Sequence, residues 1–358
     1  MPDVPRSAPP RFGDSAWRGG FVIESPVYTA SIAAGGGTVV AATECIYRLR
    51  PGATAFQVRD TPEGFGDVVA VAVEPRRASG PARFAAATMD ALHVFDGKGG
   101  FASVKFPEDH GEVLGLMWAP RKVDEGVALC LHVRFADFLL LLVPDAGPTG
   151  TFVRSDWPAP HVCAMAADGA DGVAFAAHDE ENDDLDVWVW ERATDTWLRR
   201  SIPMATSSWR VHLAVAGTAA AVTLGDDGGV WLTRNVRQHD FVELESLRGL
   251  PTAEGGAGSG PIAFAGASAD AALFAAVHET PRRLVIARVS PGGRPETIAD
   301  LMFEQGDERG RRALIHAMAW DATRRTLFTA AGRAGVGCST EPGVPPPFGK
   351  NGAKRALS

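Results

Sequence analysis

Apolar and polar residues alternate in short runs along nearly the whole chain. The stretch 185–190 reads Leu-Asp-Val-Trp-Val-Trp, and this period of two is typical of a β-strand. Polar residues from Glu191 to Thr196 then predict a turn, after which Trp197 begins a second short strand that ends before Pro203. The pattern predicts a β-hairpin here, and comparable hairpins recur through the sequence.

The predicted strands fall into seven consecutive blocks. Turn-forming stretches such as Gly35-Gly36-Gly37 and Pro51-Gly52 separate the strands. The first strands of the blocks begin near residues 27, 68, 113, 162, 211, 262 and 315, roughly 41 to 53 residues apart, a spacing typical of repeat architectures. These first strands are rich in small apolar residues, whereas outer strands carry larger or more polar ones. Sheets that are buried on both faces have this composition.

The seventh block contains only three predicted strands, whereas each of the others contains four. The apolar segment Phe21–Glu24 precedes the first block and belongs to none. We predict that it pairs as the outermost strand of the last block and ties the two chain ends together. Closing a ring in this way removes sheet edges, which otherwise promote aggregation.

Two short motifs add a family resemblance to this pattern. The stretch 185–204 resembles the second half of a kelch repeat, in which a strand of the Val-Trp-Val-Trp type is followed by a turn, a Trp and a late Pro-Met. Trp320-Asp321 is the dipeptide of WD40 repeats, although it ends a first strand rather than a third one. The blocks together resemble a seven-bladed β-propeller of the WD40/kelch-like kind, and no subfamily is assigned. The resemblance implies an all-β fold closed by an N-terminal strand that completes the last blade.

This interpretation divides the chain into three parts. We expect residues 1–20 to form a flexible N-terminal lead and residues 21–340 to form a single β-propeller domain. The last part, 341–358, is rich in Pro, Gly and basic residues and is expected to be a disordered C-terminal tail.

Charge and composition exclude several classes of function. The chain has 43 acidic and 35 basic residues, a formal net charge of -8, and no basic stripe of the kind that binds nucleic acid. The longest strongly apolar run, Phe138–Val143, is too short to cross a membrane. The N-terminus has no basic segment followed by an apolar run, so we expect no secretory signal and a cytoplasmic protein.

The search for catalytic and metal-binding chemistry leaves one alternative open. No nucleophile elbow, phosphate-binding loop or His-Glu-x-x-His motif is present. The acidic run 179–186 lacks the Gly that a calcium loop needs, and the four Cys are widely spaced. We therefore predict no metal and no cofactor. The residues considered for channel-facing metal ligands or acid–base work are Cys163, His212, His316, Glu44, Asp90, Asp226 and Glu279.

The loops joining second to third strands offer a more specific hypothesis. Propellers usually bind through such loops and through the connections between blades, which we expect to share one face. In this chain those loops are mostly acidic, which suits a partner protein with a basic segment. The predicted partner-binding residues are Trp157, His178, Asp179, Glu180, Asp183, Trp209, Arg210, Asp226, Asp227 and Glu279.

The sequence therefore favours a non-enzymatic scaffold or docking module. We expect it to bind a partner protein through one loop face, as a component of a multi-protein bacterial system, without a nucleic-acid or membrane partner. The alternative is a propeller hydrolase or lyase with a metal at the channel mouth.

Overall fold

The computed structural model contains only β-strands as regular elements in the residues that it describes. Within these residues, no helix is long and apolar enough to cross a membrane. The described residues are 18–23, 31–42, 45–53, 56–59, 65–74, 81–108, 112–120, 127–133, 139–142, 152–154, 162–167, 172–179, 181–191, 194–203, 211–224, 229–243, 259–267, 272–278, 283–289, 296–302, 316–330 and 336–340.

The described strands form seven four-stranded antiparallel sheets, and in six of them the strands follow chain order. Sheet 1 contains β2 (Ser31–Gly35), β3 (Thr38–Ala42), β4 (Ile46–Leu49) and β5 (Gln57–Arg59). Sheet 2 contains β6 (Ala70–Val73), β7 (Phe84–Ala87), β8 (Ala91–Phe95) and β9 (Phe101–Lys105). Sheet 3 contains β10 (Val113–Pro120), β11 (Val127–Val133), β12 (Leu139–Leu142) and β13 (Val153–Arg154).

The remaining sheets repeat this order, except the last. Sheet 4 contains β14 (Val162–Ala167), β15 (Gly172–Asp179), β16 (Asp184–Glu191) and β17 (Thr196–Pro203). Sheet 5 contains β18 (Val211–Ala216), β19 (Ala219–Leu224), β20 (Val230–Thr233) and β21 (Val242–Glu243). Sheet 6 contains β22 (Ser259–Ala267), β23 (Ala272–His278), β24 (Arg283–Val289) and β25 (Glu296–Met302). Sheet 7 contains β26 (Ala317–Asp321), β27 (Thr326–Ala330), β28 (Val336–Thr340) and the N-terminal strand β1 (Arg18–Ile23).

The N-terminal segment supplies the fourth strand of sheet 7, as its apolar run predicts. β1 pairs antiparallel with β28, from Arg18 opposite Thr340 to Ile23 opposite Val336. The strand begins at Arg18, within the part assigned from the sequence to the flexible lead, so the predicted start at Phe21 is corrected. The first strands of neighbouring sheets lie against one another, and β2 contacts both β6 and β26.

The alternating stretch in β16 is buried on both faces. Leu185, Val187 and Val189 pack in a cluster that includes β18 and β19 of sheet 5. Trp190 packs on the other face, in a cluster that includes Met117 of sheet 3. The period of two in this strand therefore separates two sheet-to-sheet contacts, rather than a buried face and a solvent face.

Two ends of the sheets can be distinguished. Because neighbouring strands are antiparallel, the turns between second and third strands lie at the same end as the connections between sheets; we call this end the connection face. The turns between first and second strands, and between third and fourth strands, lie at the opposite end, which we call the hairpin face.

Arginine side chains join neighbouring sheets near the hairpin face. Arg324 of sheet 7 donates to the carbonyl of Gly37 at 2.6 Å and to that of Arg50, both in sheet 1. Arg48 of sheet 1 donates to the carbonyl of Gly97 in sheet 2 at 2.9 Å. A Cβ on Gly97 would lie only 2.6 Å from the Ala82 carbonyl, so this turn needs glycine.

Arginine side chains also contact the neighbouring sheet at two further junctions. Arg83 of sheet 2 forms a buried ion pair with Glu74, and its guanidinium lies 5.2 Å from the ring centroid of Trp118 in sheet 3. Arg237 of sheet 5 pairs with Glu191 of sheet 4. These four arginines, Arg48, Arg83, Arg237 and Arg324, thus help to hold neighbouring sheets together.

The burial of His93 predicts that the stability of the junction between sheets 1 and 2 depends on pH. Its ring is buried 4.2 Å from that of Phe65, and its Nδ1 lies 2.7 Å from the Ser103 hydroxyl. Burial lowers the pKa of His93 below its usual 6.5, because the charged ring would lose its water. The unfolded chain then binds a proton near pH 6.5 while the folded chain resists it, so stability should be full above that pH and decline as the pH falls below it.

We expect His93→Asn to reduce this decline, because Asn retains a polar atom near Ser103 but does not titrate. The measurement is the free energy of urea unfolding between pH 5 and 8. His239→Asn changes an exposed ring and is the matched control. Equal pH dependence in all three proteins would contradict the assignment to His93.

Candidate functional site

The turn at 181–183 on the connection face is organised by Asp179. The Asp179 carboxylate accepts hydrogen bonds from the Glu181 backbone N–H at 3.0 Å and from the Asn182 side chain at 2.8 Å. Arg199 of β17 donates to it at 3.1 Å. These hydrogen bonds and the nearby Arg199 charge lower the pKa of Asp179. Asp179 therefore shapes the turn, and its oxygens are already used within the hairpin.

Arg199 connects this turn to a buried carboxylate below it. Asp186 is almost fully buried, and its oxygens accept from Arg199 at 2.6 Å and from the Ser201 hydroxyl at 2.8 Å. The interaction with Asp186 raises the pKa of Arg199 above its usual value. The Arg199 guanidinium also lies 5.6 Å from the Trp188 ring centroid. This network fixes the hairpin. The exposed acidic side chains at its tip are Glu181 and Asp183.

Three of the predicted partner-binding residues belong to the described chain. His178 is half-buried in β15 opposite Leu185, and Asp183 is exposed in the turn with a φ of 54°. Asp179 lies at the connection face but is engaged as described above. The other predicted residues lie outside the described residues: Trp157, Glu180, Trp209, Arg210, Asp226, Asp227 and Glu279.

The structure reveals a group of exposed apolar residues on the connection face that the sequence interpretation missed. Val69 just before β6 is 40% exposed, Met89 in the turn between β7 and β8 is 72% exposed, and Leu114 in β10 is 49% exposed. They belong to neighbouring sheets 2 and 3. We call Val69, Met89 and Leu114 the apolar patch.

Acidic side chains accompany the apolar patch. Asp67, Asp90, Glu108 and Glu112 are exposed, and each lies in a turn or connection at the same face. At this end of sheet 2, the described residues include one basic side chain, Lys105. The turn 88–90 is held by two hydrogen bonds, from the Thr88 N–H to the Ala91 carbonyl and from the Phe106 N–H to the Asp90 carbonyl. The arrangement suits binding of an apolar side chain with positive charge beside it.

Two of the residues considered as channel-facing metal ligands, Cys163 and His212, differ in their place in the sheet. Cys163 is an extra residue between Val162 and Ala164 where the register shifts, whereas His212 pairs regularly with Thr223. The Cys163 thiol donates to the Ala176 carbonyl at 3.3 Å, and burial raises its pKa to about 12. Cys163 and His212 therefore do not occupy equivalent positions in their strands. Among the described residues, no group of three or more His, Cys, Asp or Glu side chains is arranged to hold a metal ion.

The acid–base candidates are mostly outside the described residues. Of Glu44, Asp90, Asp226 and Glu279, the structure describes Asp90, which is exposed in the turn beside Met89.

Comparisons with known proteins identify the fold. No protein-family model and no curated protein sequence matches the chain. Virginiamycin B lyase from Staphylococcus aureus is 11% identical, with 91% of this chain and 99% of the lyase covered at a TM-score of 0.60. YCF48 bound to D1 peptide is 10% identical, with 95% and 99% covered at a TM-score of 0.59. A chain of the mitotic checkpoint complex is 14% identical, with 94% and 96% covered at 0.58.

These similarities show that the chain is a β-propeller. At such low identity they show the fold alone, since this fold carries both enzymes and binding proteins. The resemblance to a propeller is thus confirmed, and its subfamily stays unassigned.

Proposed function

We propose that the protein is a non-enzymatic, cytoplasmic docking module that binds a partner protein on its connection face, as a component of a multi-protein bacterial system. The observation that carries this proposal is the exposure of Val69, Met89 and Leu114 among acidic side chains. Exposed apolar groups bordered by polar ones are typical of protein interaction sites. Peptide binding by the similar propeller YCF48 is compatible with it.

The two faces differ in a way that supports this choice. Arg48, Arg83 and Arg324 near the hairpin face are engaged between sheets, so changing them would damage the fold. The connection face carries exposed acidic groups, including Glu181 and Asp183, at a turn whose shape depends on Asp179. Loops on a rigid scaffold are the usual carriers of binding function.

A charge change at the tip of sheet 4 should weaken partner binding without unfolding the protein. We expect Glu181→Lys combined with Asp183→Asn to lower the amount of co-purifying partner several-fold, and added salt to lower it further, because electrostatic attraction is screened. Asn tolerates the left-handed conformation of residue 183, so the turn should be retained.

Cross-linking with mass spectrometry provides the second measurement, and Lys98→Glu on the hairpin face is the control. Cross-links concentrated on the hairpin face, or a partner lost equally with the control variant, would contradict the proposal.

The second candidate is a lyase or hydrolase, which the similarity to virginiamycin B lyase favours. A metal bound at the channel mouth would supply Lewis-acid catalysis in such an enzyme. Elemental analysis of the purified protein would distinguish the two functions. A stoichiometric ion whose removal leaves the partner bound would favour the enzyme.

A further inference from the structure

Resting on the proposed docking function, we propose that the apolar patch of sheets 2 and 3 is the primary contact. It binds a short extended segment of a partner protein that presents one bulky apolar side chain next to Lys or Arg. The apolar side chain contacts Val69, Met89 and Leu114, and the basic groups face the surrounding carboxylates. Met89 then lies two sheets away from the acidic turn of sheet 4, and Leu114 lies one sheet away from it.

The local backbone explains why these apolar side chains are exposed. The Val69 N–H donates to the Ala87 carbonyl at 2.9 Å, which places Val69 at the strand end from which Met89 projects. Leu114 is the extra residue where the register of β10 shifts between Val113 and Gly115. Bulges of this kind redirect a side chain away from the regular pattern of the sheet.

The chemistry of the patch favours an adaptable contact with an apolar side chain. Met89 is the most exposed of the three, and the unbranched, polarisable Met side chain adjusts to different partners. Val69 and Leu114 lie at the starts of adjacent first strands. The Val69 N–H donates to the Ala87 carbonyl, and the residues on either side of Leu114 pair with β11. An exposed, unbranched side chain beside two strand ends suits recognition of a short segment.

Charge complementarity identifies the occupant more closely. Asp67, Asp90 and Glu108 are exposed at this end of sheet 2, where Lys105 is the described basic residue, and Arg154 lies at the same end of sheet 3, opposite Leu139. A segment with Lys or Arg beside its apolar residue gains attraction from these carboxylates. A second copy of this chain, with a net charge of -8, would be repelled.

The basic C-terminal part of the same chain is a less suitable occupant. The last described strand ends at Thr340, which pairs with Thr326 at the start of β27. That end of sheet 7 is the hairpin face, so the chain leaves on the side opposite the apolar patch. We therefore assign the patch to a separate protein.

The test uses the full-length protein and a displayed library of random peptides about 12 residues long, a length typical of segment recognition. We expect selected peptides to share an apolar residue flanked by Lys or Arg. Met89→Glu and Leu114→Glu, measured separately, should each weaken binding of a selected synthetic peptide by at least about tenfold, as for central interface residues. Val58→Glu and Val242→Glu alter exposed apolar residues of outer strands and should have no effect.

Further outcomes separate this inference from the docking function. Binding that is retained in Met89→Glu and Leu114→Glu but lost in Glu181→Lys would overturn the inference and leave docking on the connection face intact. Binding that no connection-face variant changes would overturn both. Dimerisation through the patch in sedimentation experiments would show that a second copy occupies it. Peptide binding that appears only after deletion of residues 341–358 would show that the C-terminal part occupies it. Either result would overturn the inference.

Discussion

Replacing Arg83 by Met is expected to destabilise the protein by about 3–5 kcal/mol, because it leaves the buried Glu74 carboxylate without its counter-ion. Arg83 donates to both oxygens of Glu74, at 2.8 and 2.7 Å, and the two side chains are only 4% and 3% exposed. A charge that loses its partner at such a site cannot be compensated by water. The free energy of urea unfolding, with the midpoint of thermal unfolding, measures the effect.

A second substitution separates the charge effect from lost packing on Trp118. In Arg83→Met combined with Glu74→Met, no buried charge remains, and we expect most of the lost stability to return, since apolar replacements of buried ion pairs are often neutral. Lys98→Met, at an exposed position in the same sheet, should change stability by less than about 0.5 kcal/mol. An equal loss in the single and double variants would instead assign the effect to the contact with Trp118.

Deleting residues 1–23 is expected to lower the thermal unfolding midpoint by about 5–10 °C, because it removes a whole strand from sheet 7. The loss of several backbone hydrogen bonds, each worth about 1 kcal/mol net, accounts for this size. β28 would then become an exposed edge, so the shortened protein should also aggregate at high concentration. Differential scanning calorimetry and light scattering measure the two effects.

Deleting only residues 1–17 is the matched control, because β1 begins at Arg18. An equal loss of stability in both proteins would contradict the role of β1. A direct test of pairing is also possible, since Gly20 lies opposite Cys338 and directly opposed positions on antiparallel strands are close enough for a disulfide. In Gly20→Cys, mild oxidation should link the two chain ends, and the disulfide-bonded peptides are identified by mass spectrometry.

The proposed function assigns structural and binding roles to different faces of the propeller. Near the hairpin face, Arg324 donates to carbonyls of sheet 1, and Arg48 donates to a carbonyl of sheet 2. The connection face leaves Met89 and several carboxylates exposed. Substitutions near the first face should therefore act on stability, whereas those on the second should act on binding.

The candidate site was only partly predictable from the sequence. The acidic turn at 179–184 was recognised because charged residues interrupt two clear strands. The engagement of Asp179 by Arg199 could not be read, because these residues meet only when β15, β16 and β17 pair. The sequence around Val69 and Leu114 is that of ordinary strands, and nothing in a local pattern marks the register shift at which Leu114 lies.

The strands and their grouping follow from the sequence alone, because alternation and turn residues are local signals. The place of the N-terminal segment followed from counting, since the last block lacked one strand and this segment belonged to no block. Only the tertiary structure decided how the faces are used. A period of two separates two sides of a strand without saying what covers each side, as the burial of Asp186 shows. Contacts such as that of Arg324 with Gly37 join residues at opposite ends of the chain, and no local pattern encodes them.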